Sequence, residues 1–248
     1  MTAPTLLLLT PSSADPRSAG TGRAVRDLVR AMRPDLRVEA TVVDGANPTG
    51  MHSPAEMLVR LAATGVEEVV AVPLLLSDSA DPFLLAAASA DQPGLRVEVT
   101  DVLGARRGFL GVLDQRLRTA LARARVRELD ALVLAASGSS DPVANAGVVR
   151  IARAWGWHHR LPVLAAYAAT TPPSTGEAVR AFRAEGRRHI AVGSFFLGPG
   201  PRADLAAELA LEAGAVAVSE PLGADEDVAR AVLERYAVGA VDLVPLPV

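Results

Sequence analysis

The chain has 248 residues, half of them apolar and 21% charged, with no cysteine and a formal net charge of −3. That composition supports a sizeable core and excludes global disorder, disulfides, thiolate metal sites and a cysteine nucleophile. Its positive charge is carried by arginines spread along helical stretches, so nothing electrostatic points to nucleic acid or an anionic membrane as a partner.

In chain order, Leu6–Thr10 is a short apolar run ending at Pro11, as expected of a strand buried on both faces. Asp15-Pro16 or Ser18 starts a helix whose apolar face is Val25, Leu28, Val29 and Met32, and which ends before Pro34. Val38–Val43 is a second strand with Asp44 at its carboxyl end, followed by a loop at Gly45–Pro54 and a helix at Ala55–Ala63 closed by Gly65. Val69–Leu76 reads as a third strand, Ser77–Pro82 as a polar loop and Phe83–Ala90 as a helix. Val97–Val99 is a fourth strand, and Gly108–Arg125 a long amphipathic helix.

The second half replays this order. LVLAASGSSDP (132–142) echoes LLLLTPSSADP (6–16), Ser139 standing 126 residues after Ser13, and VSEPLG (218–223) echoes VTDVLG (99–104). Strands are expected at Ala131–Ala135, Val163–Tyr167, Ile190–Val192 and Val216–Val218. Helices are expected at Val143–Trp157, Thr175–Glu185, Leu205–Ala213 and Val228–Ala237, with the tail Val241–Val248 as an edge strand. Strands alternating with helices imply an α/β fold, here two similar Rossmann-like or flavodoxin-like parallel-sheet domains, 1–125 and 126–248, with a cleft between them. Ligands of such sheets lie outside the carboxyl ends of the strands. The candidate loops are therefore Thr10–Asp15, Asp44–Asn47 and Ser77–Asp81, with counterparts at Ser137–Asp141, Ala168–Thr171 and Ser194–Gly200.

Short motifs are weaker. Gly20-Thr21-Gly22 lacks the spacing and the Gly-Lys-Ser/Thr ending of a phosphate loop and reads as a helix-entry turn. The Ser-rich loops have no G-x-S-x-G elbow and no suitably placed His, so capping is favoured over a nucleophile. Of the four histidines, His52 lies in a strand-end loop and His189 at the opposite end of its strand. His158-His159 close a helix, where adjacent residues do not face one another and make a poor metal clamp. Asp44, Asp78 and Asp81 stand on the expected ligand side, as cation ligands or proton acceptors, or simply as turn and cap residues.

With the loops placed, the chain resembles the sirohydrochlorin chelatase family, the CbiX/SirB group of class II tetrapyrrole chelatases. The likeness rests on LLLLTPSSADPRSAGTGRAVRDLVRAM, the strand ending in Asp44, GVEEVVAVPLLLSD, LVLAASGSSDPVAN and the VGSFFLGPG loop. The resemblance implies insertion of Fe2+ or Co2+ into sirohydrochlorin for sirohaem or cobalamin synthesis, a lyase activity without an organic cofactor. Together with the strand-end positions, it makes Ser12, Ser13, Ser77, Asp78, Ser137, Gly138, Ser139 and Ser194 candidate substrate contacts, Asp44 and Asp81 candidate catalytic carboxylates, and Asp44, Asp81 and His52, the one histidine near the expected cleft, candidate metal ligands. The family's opening loop reads A-H-G-S-x-D-P, and its metal-binding His position is Pro11 here. The second family His falls by count at Asp81, in a loop without histidine, and the second-half counterpart of Pro11 is Ser137. Proline has no ligand atom and no titratable group, so metallation is expected to be absent or much reduced. The alternative is a degenerate relative that binds a tetrapyrrole or a partner protein without metallation. The lack of a basic leader or long apolar segment predicts a cytoplasmic protein, and both halves in one chain are compatible with a monomer.

Overall fold

The computed structural model describes residues 3–11, 15–43, 51–77, 94–168 and 171–244. The first repeat contributes β1 (Thr5–Pro11), α1 (Pro16–Met32), β2 (Val38–Val43), α2 (Pro54–Ala63), β3 (Glu68–Pro73), β4 (Arg96–Val99) and α3 (Leu110–Ala124), the last preceded by a 3-10 turn at Arg107–Phe109. The second contributes β5 (Ala131–Ala136), α4 (Pro142–His159), β6 (Val163–Tyr167), α5 (Thr175–Ala184), β7 (Ile190–Ser194), α6 (Pro201–Glu212), β8 (Ala217–Val218) and α7 (Glu226–Asp242). Two four-stranded, all-parallel sheets result, ordered β2-β1-β3-β4 and β6-β5-β7-β8. The fold is α/β, as expected.

The middles of the central strands are apolar because both faces are covered. Leu6 to Leu9 are fully buried, Leu7 and Leu9 packing with Leu58 and Leu61 of α2. In the second sheet Val133 and Ala135 pack with Val179 and Phe182 of α5. The helix starts obey the same chemistry in both repeats. Asp15 and Asp141 are N-caps, each accepting a bond from the backbone N–H two residues on, with proline in the first turn. Ser53–Glu56 and Ser174–Glu177 form matching capping boxes at α2 and α5.

The compact units do not follow the repeat boundary at 125/126. One unit is residues 1–75, 80–103 and 224–248; the other is 76–79 and 104–223. The long helix closing each repeat packs on the other repeat's sheet. In the first unit α7 lies against β3 and β4: Tyr236 Oη donates to the Pro4 carbonyl at 2.8 Å, and Arg96 donates to the Leu243 carbonyl at 3.0 Å. In the second unit α3 lies against β7 and β8, and Arg116 donates twice to the Leu222 carbonyl, at 3.1 and 2.9 Å.

Two expectations change. Gly20 and Gly22 lie within α1, not in an entry turn, and Gly22 lets that helix approach β1: a Cβ there would sit 2.2 Å from Thr10 Oγ1. Val241–Val244 are not an edge strand, because α7 continues to Asp242 and the Leu243 N–H bonds the Gly239 carbonyl at 3.2 Å. Residues 245–248 and the helix expected at Phe83–Ala90 lie outside the described residues.

Candidate functional site

In each sheet the strand order reverses at the central pair, β1/β3 and β5/β7, and in parallel sheets of this kind the carboxyl end of such a pair is the expected place for a ligand. In the first unit the pair ends at Pro11 and Pro73. Pro11 is the last residue of β1, opposite Val43 in register and half-buried. A proline is tolerated there because the ladder ends at that residue. Thr10, just before it, is buried with its hydroxyl unpartnered among the described residues. Ser77 is half-buried in the bend after β3. Ser12, Ser13, Asp44, Asp78 and Asp81 lie outside the described residues.

His52 precedes α2, half-exposed, with Nδ1 3.8 Å from Glu56 Oε2. It lines a cavity of about 400 Å3 beside the edge strand β2, with Arg23, Arg26, Arg37, Arg60 and Glu39. Four guanidiniums around one carboxylate favour an anion over a divalent cation at that point.

In the second unit Ser137, Gly138 and Ser139 follow β5, with Gly138 at φ +80°. Ser139 is held on every side: its N–H donates to Asn145 Oδ1 at 2.9 Å, its carbonyl accepts from Asn145 Nδ2 at 2.7 Å and Thr171 Oγ1 at 2.8 Å, and its hydroxyl accepts from the Asp141 N–H. Ser194, expected on the substrate side, is only 4% exposed, its N–H donating to Ser219 Oγ at 2.9 Å. Asn145 and Ser219 were not singled out by sequence. The signal for Asn145 is a polar residue among the buried Ala144, Gly147 and Val148 of α4.

The structure also overturns one reading. His158 and His159 both point Nε2 at Asp114 of α3, 3.2 Å from Oδ2 and 2.7 Å from Oδ1 respectively. Adjacency on α4 does not separate them, because the third group comes from another helix and the long imidazoles converge on it, ring centroids 4.9 Å apart. Asp114 is 5% exposed and accepts from Trp155 Nε1 at 2.6 Å.

Comparison with known proteins decides the family. Residues 5–120 and 131–238 match the CbiX family model, one match per repeat. The chain belongs to the CbiX family. Similar solved structures include SirB from Bacillus subtilis with Fe3+, at 18% identity and TM-score 0.73 over 96% of each chain. CbiX, described as the terminal enzyme for biosynthesis of siroheme in denitrifying bacteria, aligns at 18% identity and TM-score 0.61 over 94% of this chain and 98% of that one. DR2241 from Deinococcus radiodurans, a multi-domain protein with structural similarity to chelatases, aligns at 18% identity and TM-score 0.67; 96% of this chain covers 55% of that one. At these identities the structures support the fold alone. No curated protein sequence matches the chain significantly. Among the described residues, no helix of this CbiX-family chain is long and apolar enough to cross a membrane.

Proposed function

We propose that this chain handles sirohydrochlorin in sirohaem or cobalamin synthesis, with Fe2+ or Co2+ as the metal substrate of a chelatase-type insertion. The observation that carries the reading is the CbiX match over both repeats, each built on a switch-point sheet. Insertion exchanges one divalent cation for two pyrrole protons, so the site must supply cation ligands and proton acceptors. In the first unit those groups are Asp44, one residue beyond the Val43 partner of Pro11, and Asp81. His52 is a weaker candidate because of its arginine neighbours.

A second reading, binding without metallation, is favoured by one observation: Pro11 ends the central strand where an imidazole would serve as both ligand and base. Mixing the purified chain with sirohydrochlorin, then Co2+ or Fe2+, and following the absorption spectrum separates the two. Metallation that is lost in Asp44→Ala supports the enzyme. A shifted ligand spectrum that metal leaves unchanged supports the binder, and an unaltered spectrum throughout refutes both.

A further inference from the structure

The Asp114–His158–His159 cluster lies away from the strand-end loops. Helix α4 starts at Pro142, beside the loop after β5, and runs the length of the sheet to His159, just before β6 begins. The cluster is thus at the amino end of the strands, opposite the end at which the fold places ligands. We propose that these three side chains form a binding site for a first-row divalent cation of the Zn2+, Co2+ or Ni2+ class.

Four observations support it. Asp114 Oδ, His158 Nε2 and His159 Nε2 all lie within 4.8 Å of one another. Ligands about 2.0–2.1 Å from a tetrahedral Zn2+ stand roughly 3.3 Å apart, so small side-chain rotations close the set. Two imidazoles and one carboxylate suit zinc, cobalt and nickel better than magnesium or calcium. The carboxylate is already oriented from behind: Trp155 Nε1–H holds Oδ1 at 2.6 Å, the kind of bond that fixes a ligating carboxylate. On the other side the His158 side chain is 61% exposed, which leaves coordination positions open to water.

Nor does the frame demand this cluster. The first repeat forms the same helix with Val29, Met32 and Arg33 at the positions of Trp155, His158 and His159. Laying VSEPLG on VTDVLG puts Leu233 of α7 at the position of Asp114. A buried carboxylate is costly unless compensated, and among the described residues no arginine pairs with Asp114; its partners are the Trp155 N–H and the two imidazoles.

The test uses the full chain, stripped with a chelator and titrated with Co2+ by visible absorption and with Zn2+ by calorimetry. In a Trp157→Phe background, Co2+ should quench Trp155 emission, reporting this site and no other. Expected is one equivalent bound here, with affinity at least about 10-fold weaker in His158→Ala and in His159→Gln. Both variants leave the Asp114–Trp155 bond intact, and His189→Ala, outside the cluster, keeps the affinity. Failure of the wild-type chain to bind either metal, or unchanged affinity and quenching in the doubly substituted chain, overturns the proposal. Because the probe is the metal alone, the outcome is independent of whether sirohydrochlorin binds.

Discussion

Gly193 is where strand, core and the Asp114 cluster meet, which makes Gly193→Ala an informative perturbation. A Cβ at this position of β7 would lie 2.5 Å from Trp155 Cη2, 3.0 Å from Cζ3 and 3.1 Å from Leu113 Cδ1. Carbon atoms pack best at about 3.5–4.0 Å, so the indole must retreat by roughly an ångström. It has little room to do so, being fully buried and tied through Nε1 to Asp114. Overpacking of this kind costs about 1–3 kcal/mol. If the ring tilts enough to stretch the bond to the carboxylate, a charged hydrogen bond worth about 1.5–3 kcal/mol weakens as well. A loss of about 3 kcal/mol is expected, lowering Tm on the order of 5–10 °C. Urea titration monitored by Trp155 fluorescence measures it, in a Trp157→Phe background made harmless by the 87% exposure of Trp157. Stability within about 0.5 kcal/mol of the parent, with an unshifted emission maximum, would refute the packing argument.

Gly22→Ala should also destabilise, although alanine is the better helix former by about 1 kcal/mol, because its Cβ falls on the Thr10 hydroxyl. Adding Thr10→Ala removes the obstructing atoms, and a double-mutant cycle by urea denaturation should show favourable coupling above about 1 kcal/mol; simple additivity would count against the contact. Asp130 ties the start of β5 to the start of β7 by accepting from the Arg188 N–H at 2.8 Å and the His189 N–H at 3.1 Å. Burial raises its pKa, but those two bonds, with the charges of His189 and Arg187, outweigh burial and hold it below the ordinary value. A carboxyl lowered on folding stabilises above the ordinary carboxylate range and stops doing so as the pH falls through its folded value. Asp130→Asn should therefore cost about 1 kcal/mol at neutral pH, a figure discounted because the side chain is 35% exposed. The gap to wild type should close in acid, and a gap independent of pH would contradict the assignment.

What the sequence revealed was what local chemistry dictates. The apolar runs of β1 and β5 and the Asp-Pro helix starts follow from burial on two faces and from orphan N–H groups and can be read from a few neighbouring residues, while the internal repeat shows in the comparison of segments 126 residues apart. The exchange of α3 and α7 was not legible. An amphipathic pattern such as Val112, Leu113 and Leu117 says that a helix is covered, not which sheet covers it. Asp114 carried a signal in hindsight, an acid inside that apolar face, whose meaning needed the end of α4 from elsewhere in the chain. His158-His159 misled because the adjacency rule concerns contacts between neighbours on one helix and does not limit what both can reach on another.

The differences between two near-identical frames show where chemistry could reside. After β5 the loop at Ser139 is closed by Asn145, whose amide bonds the Ser139 N–H and carbonyl, while the Ser139 hydroxyl accepts from the Asp141 N–H. At the matching place in the first repeat stands Ala19, a buried methyl that can make no such bond, and Pro11 stands where the second repeat has Ser137. In the first repeat residue 19 therefore offers no amide for such a clamp, and the central strand ends in proline rather than an imidazole. Any metallation there has to use carboxylates as proton acceptors, and ordinary carboxylates stay ionised down to about pH 4, whereas an imidazole protonates near 6.5. A residual wild-type rate should therefore hold as the pH drops from 7.5 to about 5.5. Pro11→His should raise the rate and introduce a fall centred near the imidazole range. Equal rates and superimposable pH profiles for the two chains would mean that position 11 faces no reacting group, and the strand-end site would lose its claim to the reaction.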